Sequence, residues 1–194
     1  MLYKILRAIG IFLYKIFFRF EVVGKEKIPK KGKLIICANH KSNFDPVTLA
    51  LATPRQINFM AKKELFENKI LGKFIRSLGA FPIDRQSTDI KALKKSITIL
   101  NEEKCLGIFP EGTRVKTKDR ANLKKGIGYI GIKGNSNIIT AEVIGNYKIF
   151  RKVKVEIKDL IQIENYKKYP KKEAIDVLAN DIFESIYRKK ELEG

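Results

Sequence analysis

The sequence predicts an α/β domain: one mostly parallel mixed sheet flanked by helices, with an amphipathic helix in front of it. Three observations carry this. Two short apolar runs, residues 34–38 and 105–109, read as buried strands. Segments of helical spacing lie between these and other strand-like runs. Residues 1–20 place basic and apolar side chains on opposite sides of one helical wheel.

In that first segment Lys4, Arg7, Lys15 and Arg19 fall within about 120° of one another at ~100° per residue. The remaining arc carries Leu2, Ile5, Leu6, Ile9, Phe12, Leu13, Ile16, Phe17 and Phe20. The longest uncharged run, residues 8–14, is far shorter than the ~20 residues a spanning helix needs. A signal peptide would want a longer apolar core and a small-residue cleavage site. The pattern is that of a helix lying in a membrane interface; the alternative is a helix docked on the protein's own core. Gly10 either weakens this helix by up to ~1 kcal/mol or marks a break in it. The chain thus divides into a membrane-associating segment, 1–20, and an α/β domain, 21–194.

Residues 18–23 read as a first strand, and 25–33, with Pro29 and Gly32, as a turn. After the 34–38 strand, Asp45 suits an N-cap and Pro46 the first helical position of a helix through residue 52. Residues 56–61 read as a strand, 62–66 as a helical start, and 70–78 as a helix ending at Gly79. Residues 81–83 form a short strand, at an edge or irregular because Pro82 cannot donate to a ladder. Residues 86–104 form a helix, capped by Ser87 or Thr88, with Ile90, Leu93, Ile97 and Leu100 recurring at helical spacing. A polar, basic loop over 115–123 leads to a helix over 123–133 and a strand over 138–144. Val153, Val155 and Ile157 alternate with charges as a half-exposed strand, and 171–190 is a terminal amphipathic helix with Ile175, Leu178, Ile182, Phe183 and Ile186 inward.

The length of 194 residues suits one domain, and the net charge of +19 predicts an anionic partner: nucleic acid, an anionic membrane surface or phosphorylated small molecules. Aromatics do not alternate with the lysine pairs at 124–125, 167–168 and 171–172, and there is no helix-turn-helix, zinc-finger or RNA-recognition signature, so nucleic acid is not the expected partner. Cys37 and Cys105 lie in apolar runs and read as packing thiols; with a single histidine they cannot build an ordinary closed zinc site, and no metal is expected.

That histidine, His40, follows the 34–38 strand, and Asp45 opens the next helix. An imidazole takes a proton near neutral pH, and a carboxylate on one ring nitrogen fixes its tautomer. These are two members of a triad. The third is either a protein hydroxyl such as Ser42 or a hydroxyl of the substrate. The competing reading is a structural hydrogen bond beside a helix cap. The 105–109 strand ends in Pro110, so Glu111, Gly112, Thr113 and Arg114 form a loop in the same situation as His40, and in a mostly parallel sheet both loops emerge at one edge. Arg85 and Arg114 offer planar forks suited to phosphate oxygens, or are plain surface arginines.

Asn39-His40-Lys41-Ser42-Asn43-Phe44-Asp45 resembles the first motif of the glycerolipid acyltransferases, a histidine and an aspartate separated by four residues. Residues 79–85 (Gly-Ala-Phe-Pro-Ile-Asp-Arg) resemble the second block, 109–114 (Phe-Pro-Glu-Gly-Thr-Arg) the third, and 138–145 the fourth. The likeness is closest to bacterial 1-acylglycerol-3-phosphate acyltransferases. It implies that His40, oriented by Asp45, is the catalytic base; that Arg85 and Arg114, with Lys62 as a further candidate, hold an acceptor phosphate; and that Glu111 and Gly112, with Thr113 at the turn, shape the pocket. The implied reaction moves an acyl group from acyl-CoA or acyl carrier protein to the sn-2 hydroxyl of lysophosphatidic acid, with no cofactor, at the cytoplasmic face of an anionic membrane. Val115 and Thr140 stand where relatives carry a small polar residue and a proline, so another acceptor, glycerol 3-phosphate or a different lysophospholipid, stays open. The basic N-terminus alone would also fit a non-enzymatic binder of anionic membranes.

Overall fold

The computed structural model describes residues 2–84, 89–115 and 117–187. In chain order the elements are α1 (Leu2–Phe17), β1 (Arg19–Val23), β2 (Leu34–Ala38), α2 (Asp45–Ala52), β3 (Ile57–Lys62), α3 (Lys69–Ser77), β4 (Phe81–Ile83), α4 (Ile90–Asn101), β5 (Cys105–Ile108), α5 (Gly126–Gly134), β6 (Ile138–Ile144), β7 (Lys152–Ile161) and α6 (Lys171–Tyr187), with short 3₁₀ turns between several of them. The strands form one sheet in the order β1-β7-β6-β2-β5-β3-β4.

Side-chain alternation explains the layering. In β2, Ile35 and Cys37 enter one core, and Leu34, Ile36 and Ala38 enter the other. All five are fully buried, as expected of a central strand covered on both faces. The first core gathers Ile99 and Leu100 of α4, Ile130 of α5, and Leu178 and Ile182 of α6. The second gathers Leu49 of α2 with Ile57, Ala141, Val155 and Ile157.

Strands β2, β3, β4, β5 and β6 run parallel, in registers such as Cys37↔Ile108, Phe59↔Gly107 and Cys37↔Thr140. Their C-terminal ends therefore emerge at one edge, where ligands bind in open α/β sheets. β7 is antiparallel to β6, and β1 joins it in parallel as an edge strand. β4 is the opposite edge, so Pro82 sits where its missing N–H costs no ladder bond.

Several details differ from the sequence expectations. α1 runs unbroken through Gly10. A Cβ there would come within 2.8 Å of Leu51 Cδ2, so the glycine gives α1 its close approach to α2. Arg7 leaves the solvated basic face: Nη2 and Nε donate to the Leu51 and Ala50 carbonyls at 2.8 and 3.3 Å, satisfying the C-terminal end of α2. α4 begins at Ile90 rather than 86 and is capped by Asp89, whose Oδ1 accepts from Ala92 N at 2.9 Å, while Oδ2 takes Asp84 N. The expected caps Ser87 and Thr88 lie outside the described residues. Ile90 turns to solvent, and Ala92, Ser96, Ile99 and Leu100 form the inward face. The polar side of β7 is less open than alternation implied, because Glu156 is nearly buried between Lys154 and Lys158.

α1 packs on α2 with Tyr14 buried, yet Ile5, Ile9, Phe12, Ile16 and Phe17 remain exposed. One side of this helix thus docks on the protein's own core, and a broad apolar side stays uncovered. Among the described residues no helix is long and apolar enough to cross a membrane.

Candidate active site

Asn39 follows β2 directly; its side chain is fully buried and bridges to β6: Nδ2 donates to Val143 O at 3.0 Å and Val143 N donates to Oδ1 at 2.7 Å. This two-armed bond anchors the strand end just before the chain turns. His40 follows, 6% exposed, with its ring stacked on Phe109 at 4.3 Å between centroids. Phe109 in turn stacks on Phe59 of β3 at 5.8 Å. The imidazole plane is set by these rings.

His40 Nδ1 lies 3.1 Å from Asp45 Oδ2. That oxygen also accepts the backbone N–H groups of Lys41 and Ser42, each at 2.6 Å. Asp45 therefore does not cap α2 as the sequence suggested. It occupies the first turn of the helix and reaches back to the amides of the tight turn before it. Asp45 Oδ1 accepts the Tyr147 hydroxyl at 2.6 Å. Burial alone would raise the pKa of this carboxyl, but the hydrogen bonds from His40, Tyr147, Ser42 and Lys41 outweigh it and hold the group below the ordinary aspartate value. An ionised carboxylate has only lone pairs to offer, so Nδ1 carries a proton, and in the neutral imidazole Nε2 is the nitrogen with the free lone pair.

The 109–115 loop meets this centre from β5. Val115 N donates to His40 O at 2.9 Å, tying the two loops together. Gly112 takes φ +69°, a left-handed turn that glycine adopts without strain. Glu111 is buried; burial pushes its carboxyl up in pKa, against the opposing hydrogen bond from the Tyr187 hydroxyl at the end of α6. Glu111 thereby braces the loop that carries Arg114.

A cavity of about 710 Å³ opens beside His40. Its walls come from Leu6 and Gly10 of α1, Val47 and Leu51 of α2, Ile57 and Phe59 of β3, and Ile75 and Leu78 near α3. Lys62 and Arg114 line the same space. Lys62 closes β3 and pairs with Glu64 at 3.2 Å; Arg114 is exposed. Of the residues singled out in the sequence, the structure joins His40 to Asp45 and brings Lys62 and Arg114 to their cavity. Glu111, Gly112 and Thr113 support the loop without lining that cavity. Arg85 lies outside the described residues.

Sequence reasoning missed Phe109 as the partner of the imidazole, Asn39 as the anchor and Tyr147 as a ligand of Asp45. Phe109 and Asn39 adjoin the motifs and were findable there. Tyr147 follows β6 at the same sheet edge, a position that only the strand order reveals.

The arrangement offers a base with its lone pair at an apolar cavity, and cations nearby. Residues 19–144 match the protein family described as Acyltransferase. The chain is 33% identical over 180 residues to the 1-acyl-sn-glycerol-3-phosphate acyltransferase of Bacillus subtilis (strain 168), covering 90% of this chain and 88% of that protein. It is 47% identical over 92 residues to the protein of the same name in Streptococcus pneumoniae, covering 46% of this chain and 35% of the relative. The crystal structure of the 1-acyl-sn-glycerophosphate (LPA) acyltransferase PlsC from Thermotoga maritima superposes with a TM-score of 0.72 at 24% identity, over 96% of this chain and 80% of that one, and so shares the fold. The chain belongs to the acyltransferase family.

Proposed function

We propose that the protein acylates the sn-2 hydroxyl of lysophosphatidic acid, using an acyl-CoA or acyl carrier protein thioester, and yields phosphatidic acid. The observation that carries this reading is the placement of the His40–Asp45 pair at a large apolar cavity that also receives Lys62 and Arg114. One place thus holds a base, room for an acyl chain and cations for a phosphate.

In this mechanism His40 Nε2 takes the proton of the acceptor hydroxyl, while Asp45 stabilises the imidazolium that forms. The acceptor oxygen attacks the thioester carbonyl. A C–O bond forms and the C–S bond breaks as the tetrahedral intermediate collapses. The imidazolium returns its proton to the departing thiolate. The substrate hydroxyl fills the role a protein serine has in a triad, so no acyl-enzyme forms. Base catalysis supplies about 10² to 10⁴ of the rate, and positioning supplies the rest. Arg114 and Lys62 hold the acceptor phosphate.

The exposed apolar side of α1, flanked by Lys4, Lys15 and Arg19, supports a seat on an anionic membrane surface, on our reading its cytoplasmic face, where the acceptor would reside. The test is phosphatidic acid formation from lysophosphatidic acid and an acyl thioester in detergent. Wild type should make product, and folded His40→Ala should make none. Product from His40→Ala at the wild-type rate would sink the mechanism. Failure of wild type across a panel of acceptors and donors would favour a lipid-binding protein without this activity.

A further inference from the structure

The mechanism uses one oxygen of Asp45; the other leads elsewhere. Asp45 Oδ1 accepts the Tyr147 hydroxyl at 2.6 Å. The Tyr147 oxygen lies 2.9 Å from Thr48 Oγ1, which lies 3.1 Å from the Tyr14 hydroxyl. The carboxylate carries no proton, so Tyr147 donates to it. With that proton committed, Tyr147 accepts from Thr48, which shares its own proton with the Phe44 carbonyl at 3.0 Å. Thr48 then accepts from Tyr14. Three hydroxyls point in series from α1 to the dyad.

The surroundings hold this chain in place. Phe18 meets Tyr14 edge-on at 5.2 Å between centroids and Tyr147 at 6.1 Å. The Tyr147 backbone sits at φ +54°, which a bulky residue adopts only where its neighbours keep it there. Tyr14 is the buried residue of α1. Tyr147 belongs to the loop after β6, and that loop is fastened to the end of α1: Phe150 N donates to Phe17 O at 2.7 Å, and Arg19 N to Arg151 O at 3.0 Å. The helix and the loop thus form one unit. Outward it shows Phe12, Phe17, Ile149 and Phe150 among basic side chains; inward it shows the two tyrosines.

We infer that Tyr14, Thr48 and Tyr147 are positioning residues that tie the seating of this helix–loop unit on an anionic bilayer to the orientation of the His40–Asp45 dyad. The bilayer rests on the function proposed above; the hydroxyl chain stands on the geometry. Displacing α1 breaks the Tyr14–Thr48 bond, loosens Thr48 on Tyr147 and frees Asp45 Oδ1 to rotate, which misaligns the imidazole.

Tyr147→Phe and Tyr14→Phe keep the rings and delete one hydroxyl each. The expected result is a kcat lowered roughly tenfold and roughly threefold respectively, with both KM values and binding to phosphatidylglycerol vesicles unchanged. The double variant should be no slower than Tyr147→Phe, because both act through one chain. Thr48→Val should reproduce the loss, and Thr48→Ser should restore most of it. A Tyr147→Phe kcat within about twofold of wild type, or losses that multiply in the double variant, would overturn the inference. His40 is the only histidine, so its ring ¹⁵N resonances read the dyad without substrate. They should shift in the hydroxyl-deleting variants, and in wild type on adding phosphatidylglycerol vesicles. Resonances that stay put in either case overturn the inference whatever the enzyme assay gives. Shifted resonances in a protein that acylates no acceptor would uphold the chain and reject acyl transfer.

Discussion

The two sides of the candidate active site are held in opposite ways. On the β2 side, His40 and Asp45 are buried, the carboxylate accepts four hydrogen bonds, and the imidazole is stacked on Phe109. On the β3 and β5 side, Lys62 and Arg114 are exposed, and Lys62 shares its charge with Glu64. On the function proposed above, the difference separates two tasks. A general base must be oriented before the substrate arrives, and buried hydrogen bonds achieve that. A phosphate can be gathered by long cationic side chains that settle when it binds, because charge acts at a distance and tolerates imprecise starting positions.

If this contrast holds, Asp45→Asn should do the most damage of the variants that keep the imidazole, lowering kcat by about 10³ or more while the acceptor KM moves little, since a carboxamide cannot accept all four bonds or stabilise the imidazolium. Initial rates at saturating substrate measure this, and an equal kcat loss from Lys62→Ala would reverse the contrast. Arg114→Ala comes next. It should raise KM for the phosphorylated acceptor roughly tenfold and leave kcat within about threefold, the signature of lost binding common to ground and transition states. An acceptor without a phosphate should be indifferent to the change; a large kcat effect would place Arg114 in the chemistry instead.

The smallest effect concerns Glu111 and is a matter of pH. Burial raises its folded pKa above the ordinary value. Such a carboxyl stabilises the fold at pH values below its unfolded pKa, and that contribution is lost as pH rises through the folded value. Glu111→Gln removes the titration and keeps an acceptor for Tyr187. The variant's Tm relative to wild type should therefore climb by about 1–4 °C between pH 4 and 8. A difference that is flat with pH, or falls, would mean that Glu111 is ionised without penalty.

Much of the site was legible because it is local. His40 and Asp45 stand five residues apart, so one strand end and one turn suffice to bring them together. The shared edge followed from two apolar runs expected as strands of one mostly parallel sheet; that β2 and β5 are direct neighbours came only with the structure. What escaped was non-local or competitive. Tyr147 is 102 residues from the carboxylate it serves, and no periodicity marks it. Asp45 had two sets of amides within reach, the helix start and the turn behind it; spacing alone does not decide between them, and the turn holds it. Arg7 looked like one more cation on a basic face, and only the docking of α1 against α2 brings the Ala50 and Leu51 carbonyls within its reach.

The pairing of β1 with β7 bears on how the chain is made. Arg19 finds its register only when Lys152 exists, so at ordinary elongation rates α1 and β1 wait on the order of 10 s for their place in the sheet. Throughout that interval the apolar side of α1 is already synthesised, and the domain cannot yet retain the helix through β1. The expected order of events is adsorption of α1 to a lipid surface first and closure of the fold second, on the membrane. Ribosome-bound chains stalled before residue 152 should accordingly co-sediment with anionic vesicles, and chains that stay in the supernatant would show that α1 does not adsorb to lipid before the fold closes.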